Sequence, residues 1–453
     1  MKKFFTILAV IGGTVSTLSA QNTYSGYFLD NYTYRFQMNP AFGNDDNFVS
    51  MPGLGNVNVA IRGNLHLDNI LHVVDGKTVL FTNPEVPKSV LNDFPHTGKL
   101  GTSDKIDLMS VGFKALGGYN TVSLGAVTDL NVGIPKTFFQ LAKEGIENKT
   151  YDIHDLTVNA KAYAQLALNH SRDIHQIPGL RVGAAMKFYI GVGNLDAYFN
   201  RADLQLGEDS WNAITNANIY SSVNGLRYKM DRNKNTGYDY VSGVDFKFKG
   251  LQGFGIGFDL GAAYKWNDFD FSLALLDLGF ISWGKTQWAS TNGDREIRTD
   301  AYIFNADGSA DNSFSNEWNL LKDDLSELYQ LSNNGTIGNR TRPVGTTLNI
   351  GVGYEFPLYR NLRFGFLNST VFNGRYTWSQ ARFSANVTPV KWFGASANFE
   401  AGTYGCGFGW LLNFTTKGFN FFAGMDHTMG KLAKQGVPLN SNASLNLGIN
   451  FPF

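Results

Sequence analysis

Residues that could do chemistry are sparse in this 453-residue chain, and the most suggestive run is GFISWGKT, Gly279 to Thr286. It satisfies the G-x-x-x-x-G-K-[ST] spacing of a phosphate-cradling loop. Such a loop aims backbone N–H groups at phosphate, so it wants small intervening residues and a helix after the lysine. Phe280, Ile281, Ser282 and Trp283 are mostly bulky, and TQWASTNGD follows. The segment therefore reads as the end of a β-strand, with Trp283 suited to an interfacial aromatic girdle. A second run, DRNKNTGYD, puts oxygen side chains at alternate positions through Asp231, Asn233, Asn235 and Asp239. A calcium loop wants Gly at its sixth position and an acid at its twelfth. Those positions hold Thr236 and Ser242, so a solvated turn is the plainer reading and a calcium site the alternative. FNADGSADN, Phe304 to Asn312, is a weaker run of the same kind. The seven histidines show no metal-ligand pairing, and no G-x-S-x-G elbow occurs. No catalytic, cofactor-binding or firm metal site emerges. A Ser/His pair assembled in space, for instance around His427, would be the route to a lipid hydrolase.

The chain begins MKKFFTILAVIGGTVSTLSAQN. Lys2 and Lys3, a short apolar run and small residues before Gln21 are the parts of a secretory signal peptide. Cleavage is expected between Ala20 and Gln21. Removing Lys2 and Lys3 leaves a net charge of −2, which gives no general attraction for nucleic acid. The single cysteine, Cys406, forms no internal disulfide. Charged residues are 17% of the chain against about 25% in typical globular proteins. Gly, at 50 residues, and aromatics, at 14%, are both in excess. After the signal, no apolar run reaches the roughly 18 residues of a membrane helix. Strands can cross instead, since each needs only about 9–11 residues and one apolar face.

Such faces recur along the whole chain. In VNVAIRGNLHL, 57–67, the odd positions include Val57, Val59, Ile61 and Leu65; Asn58, Arg62, Asn64 and His66 lie between them. In FGIGFDLGAAYKW, 254–266, the even positions are apolar and the odd ones small or polar. Similar segments near 105–115, 119–132, 154–168, 179–192, 269–283, 342–355, 361–373, 375–388, 391–402, 404–415, 418–427 and 443–453 make fourteen. Two more polar segments, 195–205 and 211–222, read as a hairpin continuing beyond the membrane; if embedded they make sixteen. Both totals are even, as single-chain bacterial barrels require. Short links at Gly117-Gly118, Asn267-Asp268, Pro389-Val390 and Thr416-Lys417 alternate with long ones at about 68–104, 133–153, 193–250, 284–341 and 428–442. Short periplasmic turns and long outer loops have this pattern. Helical patches are expected in two outer loops, IPKTFFQLAKEGI, with Pro135 in the first turn, and SNEWNLLKDDLSELYQL. The final strand carries Leu445, Leu447, Ile449, Phe451 and Phe453 on one face. That pattern is similar to the carboxyl-terminal assembly signal of bacterial outer-membrane barrels.

Residues 21–55 are aromatic without alternation and read as a hatch inside the barrel. About fourteen strands leave an interior too wide for wall side chains alone to fill. The stretch from Tyr34 to Asn64, with Met38, Asn39, Pro40, Ala41 and Phe42 followed by Pro52-Gly53-Leu54-Gly55, resembles the start of a Bacteroidota outer-membrane barrel family without assigned function (domain of unknown function 5723). IPKTFFQLAKEG and DLGFISWG fit the same resemblance. Asn39-Pro40-Ala41 before the first strand is more distantly similar to the long-chain fatty-acid transporter (FadL-type) barrels. There, a hatch plugs a 14-stranded barrel through which apolar substrates pass. The expectation is an all-β transmembrane antiparallel barrel over 56–453, in the outer membrane, among its lipids and dependent on the barrel-assembly machinery. It would be a channel for small hydrophobic molecules rather than an enzyme. The alternatives are a structural, secretion or surface-attachment scaffold and, less favoured, a lipid hydrolase.

Overall fold

The computed structural model describes residues 23–145, 147–207, 210–232, 237–300, 330–428 and 442–453. The signal sequence, the Ala20–Gln21 junction and most of SNEWNLLKDDLSELYQL lie outside the described residues.

Fourteen antiparallel strands form one closed wall. They are β1 (Asn56–Gly63), β2 (Thr97–Ala115), β3 (Gly118–Pro135), β4 (Thr157–Asp173), β5 (Leu180–Leu206), β6 (Gly253–Trp266) and β7 (Phe269–Trp283). The ring continues with β8 (Thr346–Glu355), β9 (Leu362–Phe372), β10 (Trp378–Val390), β11 (Phe393–Gly402), β12 (Gly405–Thr416), β13 (Phe419–Thr428) and β14 (Ala443–Pro452). Each strand pairs with the next. The ring closes where β14 meets β1, with Val57 opposite Leu447 and Val59 opposite Leu445. Closure leaves no strand edge, and a bilayer tolerates only such sheets because its hydrocarbon offers no substitute hydrogen bonds.

The wall starts earlier than the alternation suggests. Phe48–Ser50 pairs with both Pro452 to Asn450 of β14 and Gly112 to Val111 of β2, extending the ladder below β1. Pro52 lacks the amide donor a continuous ladder would need, so Met51–Gly55 loops out. The loop still ties to its neighbours, Met51 N–H donating to Ile449 O and Gly53 N–H to Leu108 O.

The terminal strand shows the alternation directly. Leu445, Phe451 and Phe453 are exposed, while Ser444, Asn446, Gly448 and Asn450 face inward and are buried. Phe254, Leu260, Leu273, Ile350, Phe383 and Phe408 are exposed on other strands. A belt of that extent has no place on a soluble monomer. No helix among the described residues is long and apolar enough to cross a membrane; the crossing is made by strands.

One rim has tight turns. Leu116 and Gly117 both take positive φ, 57° and 72°, as a two-residue hairpin turn demands. The opposite rim grows outward. β5 runs 27 residues, roughly 90 Å at about 3.3 Å per residue, far more than a membrane needs. Its outer part pairs with Ser210–Val223, which in turn pairs with Gln287–Ser290 and Arg295–Asp300. The two polar segments are thus an extension of the wall, and the barrel has fourteen strands rather than sixteen. A helix at Lys136–Glu144 lies in the outer loop after β3, with Pro135 as its N-cap rather than in its first turn.

Leu273 projects from the lipid-facing side of β7. Leu273→Arg is expected to destabilise the barrel by about 2–4 kcal/mol if it lies near the midplane, read as a lower urea midpoint for loss of the heat-modifiable folded band.

Candidate functional site

The lumen is occupied from the tight-turn side by residues 23–47. This segment has two 3₁₀ turns, Tyr24–Gly26 and Thr33–Gln37, and otherwise irregular backbone. Its Tyr27, Phe28, Tyr32, Tyr34 and Phe36 are buried in one cluster with Phe48, Tyr119, Leu367, Leu411 and Phe422 of the wall. Tyr32 meets Phe422 edge-on at 4.9 Å between ring centroids.

The wall is carved to receive this hatch. A Cβ added at Gly365 would lie 2.2 Å from the Phe28 ring, and one at Gly351 2.9 Å from Tyr27. At Gly183 a Cβ would meet Pro40 O at 2.1 Å, and at Gly261 it would meet Asn39 Oδ1 at 2.1 Å. These glycines lie in strands, so they are present for clearance rather than for backbone freedom.

Polar wall residues satisfy the irregular backbone. Asp426 accepts from the amides of Tyr24 (2.9 Å) and Ser25 (2.6 Å) and from Ser25 Oγ (2.6 Å). Asn349 Nδ2 donates to Met38 O at 2.9 Å, and Asn413 Nδ2 donates to Asn31 O at 2.8 Å. Asn413 also anchors an inward ladder, with Asn420 donating to it at 2.9 Å and Asn450 donating to Asn420 at 2.6 Å.

Asn39, Pro40, Ala41 and Phe42 sit together in the hatch. Asn39 Oδ1 accepts from Ala41 N–H at 2.9 Å, while Nδ2 donates to Ala262 O of β6 and Leu273 O of β7. Ala41 is fully buried. Phe42 packs edge-on against Tyr27 at 5.2 Å, beneath the Arg35 guanidinium. The run is a backbone-tying turn sized for a glycine-lined seat.

Beyond the hatch the lumen is charged. Lys187 bridges Asp259 and Asp277 at 2.7 Å each, and Lys161 lies 3.3 Å from Asp129. Asp277 takes a positive φ of 57° at the β6–β7 bulge, a conformation that costs free energy in a non-glycine residue. Arg382 donates through Nε to Glu400 Oε2 at 2.9 Å, and Glu400 Oε1 meets His427 Nδ1. Between these groups lies a cavity of about 120 Å³, bordered by Tyr24 of the hatch and by Arg62, Lys105, Asp129, Lys161 and Trp378 of the wall.

Several sequence-derived candidates are not brought together. In Gly279–Thr286, Phe280 is exposed, Ile281 and Trp283 are buried, and Gln287–Ser290 is a strand rather than a helix. The segment is wall, as its bulky residues indicated, but Trp283 faces inward and packs with Tyr163, Tyr189 and Val344 instead of joining an interfacial girdle. Asn233 and Asn235 lie outside the described residues. Asp231 and Asp239 stand on facing strands of a hairpin, opposite Tyr240 and Arg232 respectively, which places them on opposite faces. No group of three or more His, Cys, Asp or Glu residues is arranged to hold a metal among the described residues. His154, in the loop after β3, bonds Asp152 at 2.6 Å, and that hydrogen bond raises its pKa above the ordinary imidazole value. His427 does have an acid partner, but no group among the described residues bonds its Nε2. The cavity itself was not read from the sequence. Its signal was the charge at Arg62, Lys105, Lys161, Lys187, Asp129 and Asp259, inward positions that elsewhere hold Asn, Ser or Gly.

The model of a family of unknown function, DUF5723, matches residues 40–426. No curated protein matches the sequence significantly. Among solved structures, the chain is similar to the Ralstonia pickettii toluene transporter TbuX, at 9% identity and a TM-score of 0.41, covering 96% of this chain and 99% of that one. It is also similar to the Pseudomonas putida toluene transporter TodX, at 9% identity and 0.37, covering 96% and 95%. A Pseudomonas aeruginosa FadL homologue gives 9% and 0.38, covering 96% and 98%.

Two substitutions test how the hatch is seated. Asp426→Ala removes hydrogen bonds to a charged group, each worth about 1.5–3 kcal/mol, so the hatch should open at least about tenfold more often. Gly365→Val places carbon where Phe28 sits and should unseat it. In both variants trypsin should reach Arg35 faster than in the parent protein, while the barrel keeps its heat-modifiable migration.

Proposed function

The chain belongs to the DUF5723 family of unknown function, and we propose that it is an outer-membrane channel for small molecules, stoppered by its own N-terminal segment. The observation that carries this reading is the division of the lumen. The N-terminal hatch, packed onto the wall, closes the tight-turn end, and a cavity of about 120 Å³ lies against it. A structure needed only for its outer surface has no reason to hold a charged cavity above a plug.

The expected cargo was a small hydrophobic molecule. The cavity has apolar surface at Tyr24, Trp378 and Tyr404, but charge of both signs, cationic at Arg62, Lys105 and Lys161 and anionic at Asp129 and Asp277. That mixture favours a small amphipathic molecule, an apolar body with a polar end, over a hydrocarbon. By the same reading, the alternating face of β14 from Leu445 to Phe453 is the signal by which the barrel-assembly machinery takes up the chain, and the signal peptide ahead of Gln21 directs export.

The scaffold reading is favoured by a different observation, the outward growth of β5, Ser210–Val223 and their neighbours into a sheet beyond the membrane. It does not account for the cavity. A hydrolase needs a hydroxyl at His427 Nε2, and none bonds it among the described residues.

Conductance separates the two leading readings. In planar bilayers the parent protein should be nearly closed, and Gly365→Val should carry a steady current several-fold larger. Equal, negligible currents from both would support the scaffold.

A further inference from the structure

Most cations buried in the lumen wall have a carboxylate. Lys187 has Asp259 and Asp277, Lys161 has Asp129, and Arg382 has Glu400. Arg62 differs. Its relative exposure is 6%, and its Nε and Nη2 are buried with no hydrogen-bond partner among the described residues. The guanidinium lies 4.0 Å over the ring of Trp378, which offsets part of its lost hydration. A ring face is only a weak acceptor for N–H donors, however, and an arginine cannot shed its charge to relieve them. Glu400, the acid within electrostatic reach, is already held by Arg382 and His427, so the retention of a buried guanidinium without a carboxylate contact at a cavity wall points to an anion that arrives from outside.

The surroundings narrow the class of anion. Arg62 borders the cavity together with Tyr24, Trp378 and Tyr404, so aromatic surface surrounds the charge. The volume, about 120 Å³, is near the roughly 150 Å³ of a protein cavity known to hold benzene. Inorganic anions would leave the aromatic faces unused, and a long chain would run beyond the roughly 120 Å³ that the cavity offers.

We propose that this corner of the lumen binds a small monocarboxylate with an apolar body about the size of one ring, its carboxylate on Arg62 and its body against Tyr24, Trp378 and Tyr404. The inference deepens the channel reading and rests on it, since the ligand must reach the lumen. Tyr24 belongs to the hatch, and the amides of Tyr24 and Ser25 are what Asp426 holds. Ligand on Arg62 therefore touches the element that closes the pore.

Equilibrium dialysis of the detergent-solubilised full chain against radiolabelled benzoate tests this, with benzyl alcohol and inorganic phosphate as competitors. One saturable benzoate site per barrel is expected. Benzyl alcohol and phosphate should compete at least tenfold more weakly. Arg62→Met should weaken benzoate at least tenfold and Arg62→Lys by less, with both variants retaining the folded, heat-modifiable band. Equal benzoate binding by Arg62→Met would overturn the assignment. So would absence of saturable binding to both the parent protein and the loosened Gly365→Val variant, the latter excluding blocked access without touching Tyr24. Phosphate competing as well as benzoate would overturn the carboxylate class. Solute flux into liposomes made from the same preparation reports the channel separately: flux without benzoate binding defeats this site alone, and binding without flux defeats the channel alone.

Discussion

Everything in this structure follows from one requirement, that a peptide group in hydrocarbon must find its hydrogen bond within the protein. A sheet meets it only by closing, and closure here occurs where the last strand meets the first. β14 carries the seam. It pairs with β13 on one side and, on the other, with β1 above and Phe48–Ser50 below. Where Pro52 interrupts the first strand, the looped residues Met51 and Gly53 still reach the flanking strands. The seam is thus completed by a segment that continues directly into the hatch, so wall and hatch share one stretch of chain.

Closing fourteen strands creates a second problem, because a ring that wide is not filled by its own side chains. The hatch fills the tight-turn end, and the wall accommodates it with two residue types. Glycines at 183, 261, 351 and 365 give clearance where the hatch backbone or rings approach. Asparagines at 349 and 413 and the carboxylate of Asp426 give hydrogen-bond partners to a backbone without regular structure. The excess of glycine in the composition therefore has a cause beyond turns.

Above the hatch the balance is electrostatic. Buried charges are tolerated when paired, and the Lys187–Asp259–Asp277 and Arg382–Glu400–His427 groupings meet that condition, knitting neighbouring strands together across the inner face. Arg62 is the position where pairing stops and an aromatic ring takes the place of a carboxylate. The membrane-facing surface carries no such distinctions; apolar residues of many kinds serve there, because lipid asks only for the absence of polar groups.

Strand positions and the in–out sense of most wall residues were legible in the sequence because a strand has a two-residue period and this sheet has lipid on one side only, but the choice between fourteen and sixteen strands was made by register, which joins Ser210–Val223 to the outer part of β5. Val57, Leu260 and Leu445 declare their face through their immediate neighbours. Asn39-Pro40-Ala41-Phe42 could be singled out as a motif, and the aromatic, non-alternating stretch around it could be placed inside the barrel. What those residues touch was not legible. The seat of Phe28 is made by Gly365, that of Pro40 by Gly183, and the anchor of Tyr24 by Asp426, at separations of hundreds of residues in two of the three. The break at Met51–Gly55 and the strand before it were hidden for a related reason, since three paired residues are too few to show a period. The pairing of lumen charges belongs to the same class. An alternating pattern says that Arg62 and Lys187 both point inward, but only strand register decides that Lys187 meets two carboxylates and Arg62 meets Trp378. Local periodicity fixed the wall, and ring closure, which brings distant strands to a common interior, decided what that interior can hold.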